Sequence, residues 1–138
     1  MAYSTQADLE AVWGAASIAR WSSVDPHNPA TANTTRITAA IAEADAEIDM
    51  RFQGSRYTVP LSGNAAIARK WSTRLAAHKL YTPRAQPIDD LSTDPDAARL
   101  NGGKKEVERE IMLAVMGAFR PGFAVQGTQP TAPFVSGV

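Results

Sequence analysis

The sequence predicts an all-α bundle of about four helices, with a short extended or hairpin-like loop between the second and third helices and an extended C-terminal arm. Three observations lead there. Apolar residues recur at helical spacing in four separate stretches. Those stretches are punctuated by capping side chains, glycines and prolines. The one run with strand preference, Tyr57-Thr58-Val59, stops at Pro60, which lacks a ladder donor. The chain divides into a helical domain over residues 1–121 and an arm over 122–138.

The first helix starts at Ser4-Thr5-Gln6-Ala7-Asp8, where Thr5 can cap and Asp8 sits near the positive end of the helix dipole. Leu9, Val12, Trp13 and Ala16 then carry it to Ile18 or Arg20. The stretch Ser22 to Pro29, with two prolines, breaks it. A second helix runs from about Thr35 to Gln53, capped by Asn33 or Thr34 and stopped by Gly54. Its stripe is Ile37, Ile41, Ala44, Ile48 and Phe52. Glu43, Asp45, Glu47 and Asp49 take the other faces, and Arg51 follows Glu47 by one turn. Residues 55–62 form the loop. A third helix, Ala65 to Tyr81, is capped by Asn64, buries Ile67, Trp71 and Leu75, and ends at Pro83. Thr82 to Ser92 is a linker. Asp94-Pro95 opens a short helix that Asn101-Gly102-Gly103 should break or hinge. A fourth long helix resumes at Lys104, buries Val107, Ile111, Ala114 or Val115, and Ala118, and stops at Pro121-Gly122. The arm has no charge and no helical period, but it holds Phe123, Val125, Phe134 and Val135, enough apolar area to dock.

A chain of 138 residues suits one domain, and its zero formal charge argues against coating DNA or an anionic membrane. Cysteine is absent, which removes disulfides and thiolate chemistry. No apolar run approaches the roughly 18–20 residues of a membrane span, and the first residues do not resemble a signal peptide, so a soluble intracellular domain is expected. Charge is segregated along the chain. Residues 1–50 carry two basic and seven acidic side chains, residues 51–85 seven basic and none acidic, and residues 86–138 five basic and seven acidic. Such blocks give neighbouring helices complementary faces, or join one copy of the chain to the next.

No constellation supports catalysis. His27 and His78 have no partner at metal-binding spacing. Asp89, Asp90, Asp94 and Asp96 lack the alternating framework of a calcium loop. The pairs Glu43/Glu47 and Glu106/Glu110 lack the Glu-x-x-His motif of a di-metal bundle. Neither G-x-S-x-G nor a glycine-rich phosphate cradle occurs. The expectation is a protein that is not an enzyme, with no catalytic residues, metal or cofactor. The basic third helix, with Arg69, Lys70 and Arg74, is the best nucleic-acid candidate, or pairs with acids of a neighbouring copy. A sequence-tolerant DNA-binding module and a small regulatory protein-interaction domain are therefore the alternative readings.

The stretches MAYSTQADL, AEADAEIDMRFQGSRYTVPL and LAAHKLYTPRA resemble a family of small helical neck proteins from Mu-like phages and prophages. These are similar to the head–tail connector, or adaptor, proteins of long-tailed phages. The resemblance spans about Met1 to Ala85, and its distinctive part is the helix ending in AEID followed by the loop of Arg56, Tyr57, Pro60 and Leu61. It implies a structural virion protein that forms a ring below the portal, commonly of twelve copies. Such a ring extends the DNA channel and joins capsid to tail. The implied partners are the chain itself, the portal protein, a downstream neck or tail-terminator protein and, non-specifically, genomic DNA in the channel; no membrane is involved. The implied location is the virion neck, and the host cytoplasm before assembly. The loop residues Arg51, Arg56, Tyr57, Val59, Pro60 and Leu61 are candidates for a protein interface, as are Phe123, Val125, Phe134 and Val135 of the arm. The same loop could instead fold back as a lid over the protomer's own core. On the interface reading, truncating Tyr57 and Leu61 would spare monomer folding.

Overall fold

Thr5 opens the first helix as its sequence requires. Its side chain accepts from the Asp8 amide at 3.2 Å, and the Thr5 amide donates to the Asp8 carboxylate at 2.9 Å, a reciprocal capping box. In the computed structural model, which describes residues 2–22, 32–81 and 95–125, this start leads into five helices. They are α1 (Gln6–Trp13), α2 (Ala15–Ser22), α3 (Thr34–Phe52), α4 (Ala65–Tyr81) and α5 (Pro95–Met116). Among the described residues there is no strand, and the fold is all-α. The turn containing His27, the linker with Asp89 and Asp90, the Asp94 cap and the tail with Phe134 and Val135 lie outside the described residues.

The predicted first helix is two helices. Gly14 adopts φ 93°, a conformation that side chains with a β-carbon rarely take, and the chain turns there. The turn exposes Val12, which the helical stripe had placed in the core, along with Ala16. In exchange Ile18 and Trp21 are buried, and Trp21 meets Trp13 edge-on at 6.0 Å and Tyr81 at 5.9 Å. α3 follows the prediction closely. Asn33 caps it by accepting from the Arg36 amide, and its whole expected stripe is buried.

α4 packs against each of the other four helices. That position explains its composition: a central helix meets neighbours on nearly every face, so Ala68, Ser72, Thr73, Ala76 and Ala77 are buried beside Trp71, Leu75 and Leu80. Ile67, expected inside, is only partly buried at the edge of this core.

The expected break at Asn101-Gly102-Gly103 does not occur, and α5 runs through it unbroken. Leu100 and Val107 lie two turns apart on one face and are both fully buried. Each glycine costs about 1 kcal/mol against alanine in a helix, while burying a leucine contributes roughly 1.5–3 kcal/mol, so the anchors on either side hold the helix together. Gly103 also lies beside the Arg74 side chain, where an added β-carbon would stand 3.5 Å from Arg74 Cδ. Beyond Ile111 and Ala114 the helix ends at Met116, and Val115 and Ala118 face outward rather than into the core.

Candidate functional site

The segment between α3 and α4, residues 54–63, is the excursion the sequence pointed to. Its backbone makes few bonds to itself. Ser55 folds back on the end of α3, its amide donating to the Phe52 carbonyl at 3.1 Å and its hydroxyl to the same oxygen at 2.5 Å. The Tyr57 amide donates to Ser55 Oγ. The Val59–Pro60 peptide bond is cis. The remaining bonds run outward to two distant parts of the chain. On one side, the Thr58 amide donates to the Ala124 carbonyl at 3.0 Å and the Ala124 amide donates to the Ser62 carbonyl at 2.8 Å. An isolated antiparallel bridge joins Tyr57 to Val125. On the other side, the Leu61 amide donates to the Tyr3 hydroxyl at 2.8 Å. Asn64 then starts α4, its Oδ1 accepting from the Ile67 amide while its Nδ2 donates to the Pro121 carbonyl. Gly63 has φ 111°, and a β-carbon on it would stand 2.6 Å from the Gly122 carbonyl oxygen, so only glycine lets the two segments come this close.

The apolar side chains of the excursion point inward. Tyr57 is 3% exposed and Leu61 5% exposed, and both belong to the main core cluster. Tyr57, Phe52, Trp71 and Phe123 form an aromatic nest with ring centroids 5.6–6.0 Å apart. Of the two readings left open, the protomer's own core takes Tyr57 and Leu61. Phe123, assigned to a separate arm, is likewise a core residue, so the helical core extends past residue 121. Val59 is half-buried, while Arg51, Arg56, Pro60 and Val125 are exposed. The Arg56 guanidinium lies 5.6 Å from the Tyr57 ring centroid and against Gly117, just past the C-terminus of α5.

The three candidate basic residues of α4 each face an acid of the same protomer. Arg69 meets Asp8 at 3.8 Å, Lys70 meets Glu110 at 3.2 Å and Arg74 meets Glu106 at 3.7 Å. Elsewhere Lys79 pairs with Glu47 at 3.0 Å, and Arg51 reaches both Glu47 and Glu108. The charge blocks of the sequence are therefore complementary faces of neighbouring helices. Burial works to raise the pKa of Glu110, but hydrogen bonds from Trp71 Nε1 and Lys70 outweigh it and hold the carboxyl below its usual range. Glu47 is likewise held low, since the hydrogen bond and charge of Lys79, with Arg51 and Lys104 nearby, overcome its desolvation. His78 is pushed down by burial and by the charges of Lys104 and Lys79. Among the described residues no three histidine or acidic side chains gather as a metal site would require.

Under the excursion lies a polar network that sequence reasoning missed. Tyr3 and Ser4 run as a strap across α3 and α4. The Tyr3 amide donates to Asp45 Oδ2 at 2.9 Å, and the Tyr3 hydroxyl donates to Asp49. Ser72 Oγ donates to Asp45 Oδ1 at 2.6 Å and lies 2.6 Å from Ser4 Oγ. Burial raises the pKa of Asp45, and these hydrogen bonds offset that only in part.

Comparison with known families decides the identity at this level. Residues 3–100 match the model of the family described as Bacteriophage Mu, Gp36. The chain belongs to that family. The match takes in the strap, α1 to α4, the excursion between α3 and α4, and the start of α5. No curated protein matches the chain. Membership in the Mu Gp36 family makes this a phage protein of the structural and morphogenetic kind. No helix among the described residues of this Gp36 family member is long and apolar enough to cross a membrane. Among the described residues the exposed large apolar side chains are Val12, Met50, Met112, Val115, Met116 and Val125, of which Met116 is the most open at 70%. The two α5 methionines were legible only as the residues flanking the Val107–Ile111–Ala114 stripe.

Proposed function

We propose that this protein is a head–tail connector subunit of a Mu-like phage, a structural component without catalytic activity. Copies of it form a ring, of twelve by analogy with connectors, below the portal protein. The ring extends the DNA channel and offers a platform to a downstream neck or tail-terminator protein, so the mature location is the virion neck. The observation that carries this reading is the family match over residues 3–100, which spans the segment whose motifs resemble connector proteins. The described surface is compatible with assembly through side chains left exposed, Arg56 and Pro60 on the excursion and Met112 and Met116 on α5. Tyr57 and Leu61 serve this role from below, as the anchors that fix the excursion's shape. The DNA-binding alternative is weakened, because Arg69, Lys70 and Arg74 already face carboxylates.

Electron cryo-microscopy of intact virions tests the proposal. Density for a ring of this protein between portal and tail is the expected result. Virions whose neck lacks the protein, or particles that acquire tails normally after deletion of its gene, would end it.

A further inference from the structure

We propose that the Tyr3 hydroxyl is the pin of a latch, holding the Leu61 end of the 54–63 excursion closed against the bundle from the N-terminal side and loosening that end when broken. The geometry is a relay across residues far apart in sequence. One phenol oxygen accepts the Leu61 amide at 2.8 Å and at the same time donates to Asp49. The strap that carries the phenol is held independently, by the Tyr3 amide on Asp45 and by the contact of Ser4 with Ser72. Removing the hydroxyl thus leaves the strap seated and the bundle packed, but strands the Leu61 amide on a residue that is 5% exposed. The side chains of Tyr57 and Leu61 hold the excursion to the core, and the Thr58 amide ties its other part to the Ala124 carbonyl. What the phenol governs is the backbone at the Leu61 end, which can open locally at less than the free energy of global unfolding. The closed state of that end therefore depends on the N-terminal strap, and a partner that lifts the strap would loosen Pro60 and Leu61. The latch rests on the protomer alone and stands whether or not the protein is a connector.

Hydrogen–deuterium exchange on the full-length protein, resolved to single amides by NMR, tests it. In the Tyr3→Phe variant the Leu61 amide should exchange roughly tenfold faster, the effect of one lost hydrogen bond. Amides in the middle of α3 and α4 should keep their protection. Asp49→Ala should speed the same amide by less, and adding it to Tyr3→Phe should bring little further change, because the two act through one oxygen. The proposal is overturned if Leu61 exchange is unchanged by Tyr3→Phe, if it rises only in proportion to the core helices, or if the two substitutions add fully. It is also overturned if the wild-type Leu61 amide is as open as an unprotected loop.

Discussion

Truncating Tyr57 to alanine asks whether the excursion is a lid in solution. The ring is 3% exposed and stands edge-on to Phe52 at 5.6 Å and to Phe123 at 6.0 Å. Removing a buried aromatic side chain of this size costs about 3 kcal/mol or more, through lost burial and the cavity left behind. A domain of this length shifts its midpoint by a few degrees per kcal/mol, so Tm should fall by roughly 10 °C. Leu61→Ala should cost about 2–3 kcal/mol by the same reasoning. The two side chains serve one excursion, so the double variant should cost less than their sum. Met116→Ala is the control: at 70% exposure it should stay within about 0.5 kcal/mol of the parent. Urea and thermal unfolding followed by circular dichroism measure all four. If Tyr57→Ala behaves like the Met116 control, the excursion does not rest on the core. Its apolar side chains would then be free for a neighbouring subunit, contrary to the burial described above.

Other outcomes follow from single features. His78 has its pKa lowered by burial and two lysines, so the unfolded chain takes up a proton before the native one does. Stability should therefore fall as pH drops from about 6.5, and in His78→Gln unfolding free energies measured between pH 7.5 and 5.5 should lose that slope; an unchanged slope would place its origin elsewhere. Gly102 has open space where a β-carbon would sit, so Gly102→Ala should raise stability by up to about 1 kcal/mol; a loss on urea unfolding would mean that α5 is not continuous there. Tyr3 has its phenol pKa raised by burial and by its bond to Asp49. Its contribution is present below the ordinary tyrosine value and lost as pH climbs beyond about 10. Tyr3→Phe should accordingly flatten the alkaline limb of the stability curve. Asp45→Ala leaves the Tyr3 amide and the Ser72 hydroxyl without their acceptor, and should cost about 2 kcal/mol or more in a urea titration.

What could be read from the sequence was whatever local chemistry decides. The Thr5 and Asn33 caps, the α3 stripe and the start of α4 at Asn64 each depend on residues within a few positions of one another. What could not be read depends on partners far along the chain. The first helix was drawn straight through Gly14, because nothing nearby shows that Trp13 and Trp21 must meet. Asn101-Gly102-Gly103 looked like a break, because the burial of Leu100 and Val107 that outweighs two glycines comes from packing beyond α5 itself. At the candidate site the loop residues were found, yet lid and interface gave the same pattern. The decision came from Phe123 and from Tyr3, some 60 residues away on either side. Asp45 read as one more acid off the apolar stripe, and only the strap lying across it shows its buried role.

The bonds to Leu61 and Ser62 come from opposite ends of the described chain, residue 3 and residue 124. Two segments far apart in sequence are thus tied together through adjacent residues. Substitutions at Tyr3 and beside Ala124 should accordingly couple, rather than add, when their unfolding free energies are compared in a double-mutant cycle.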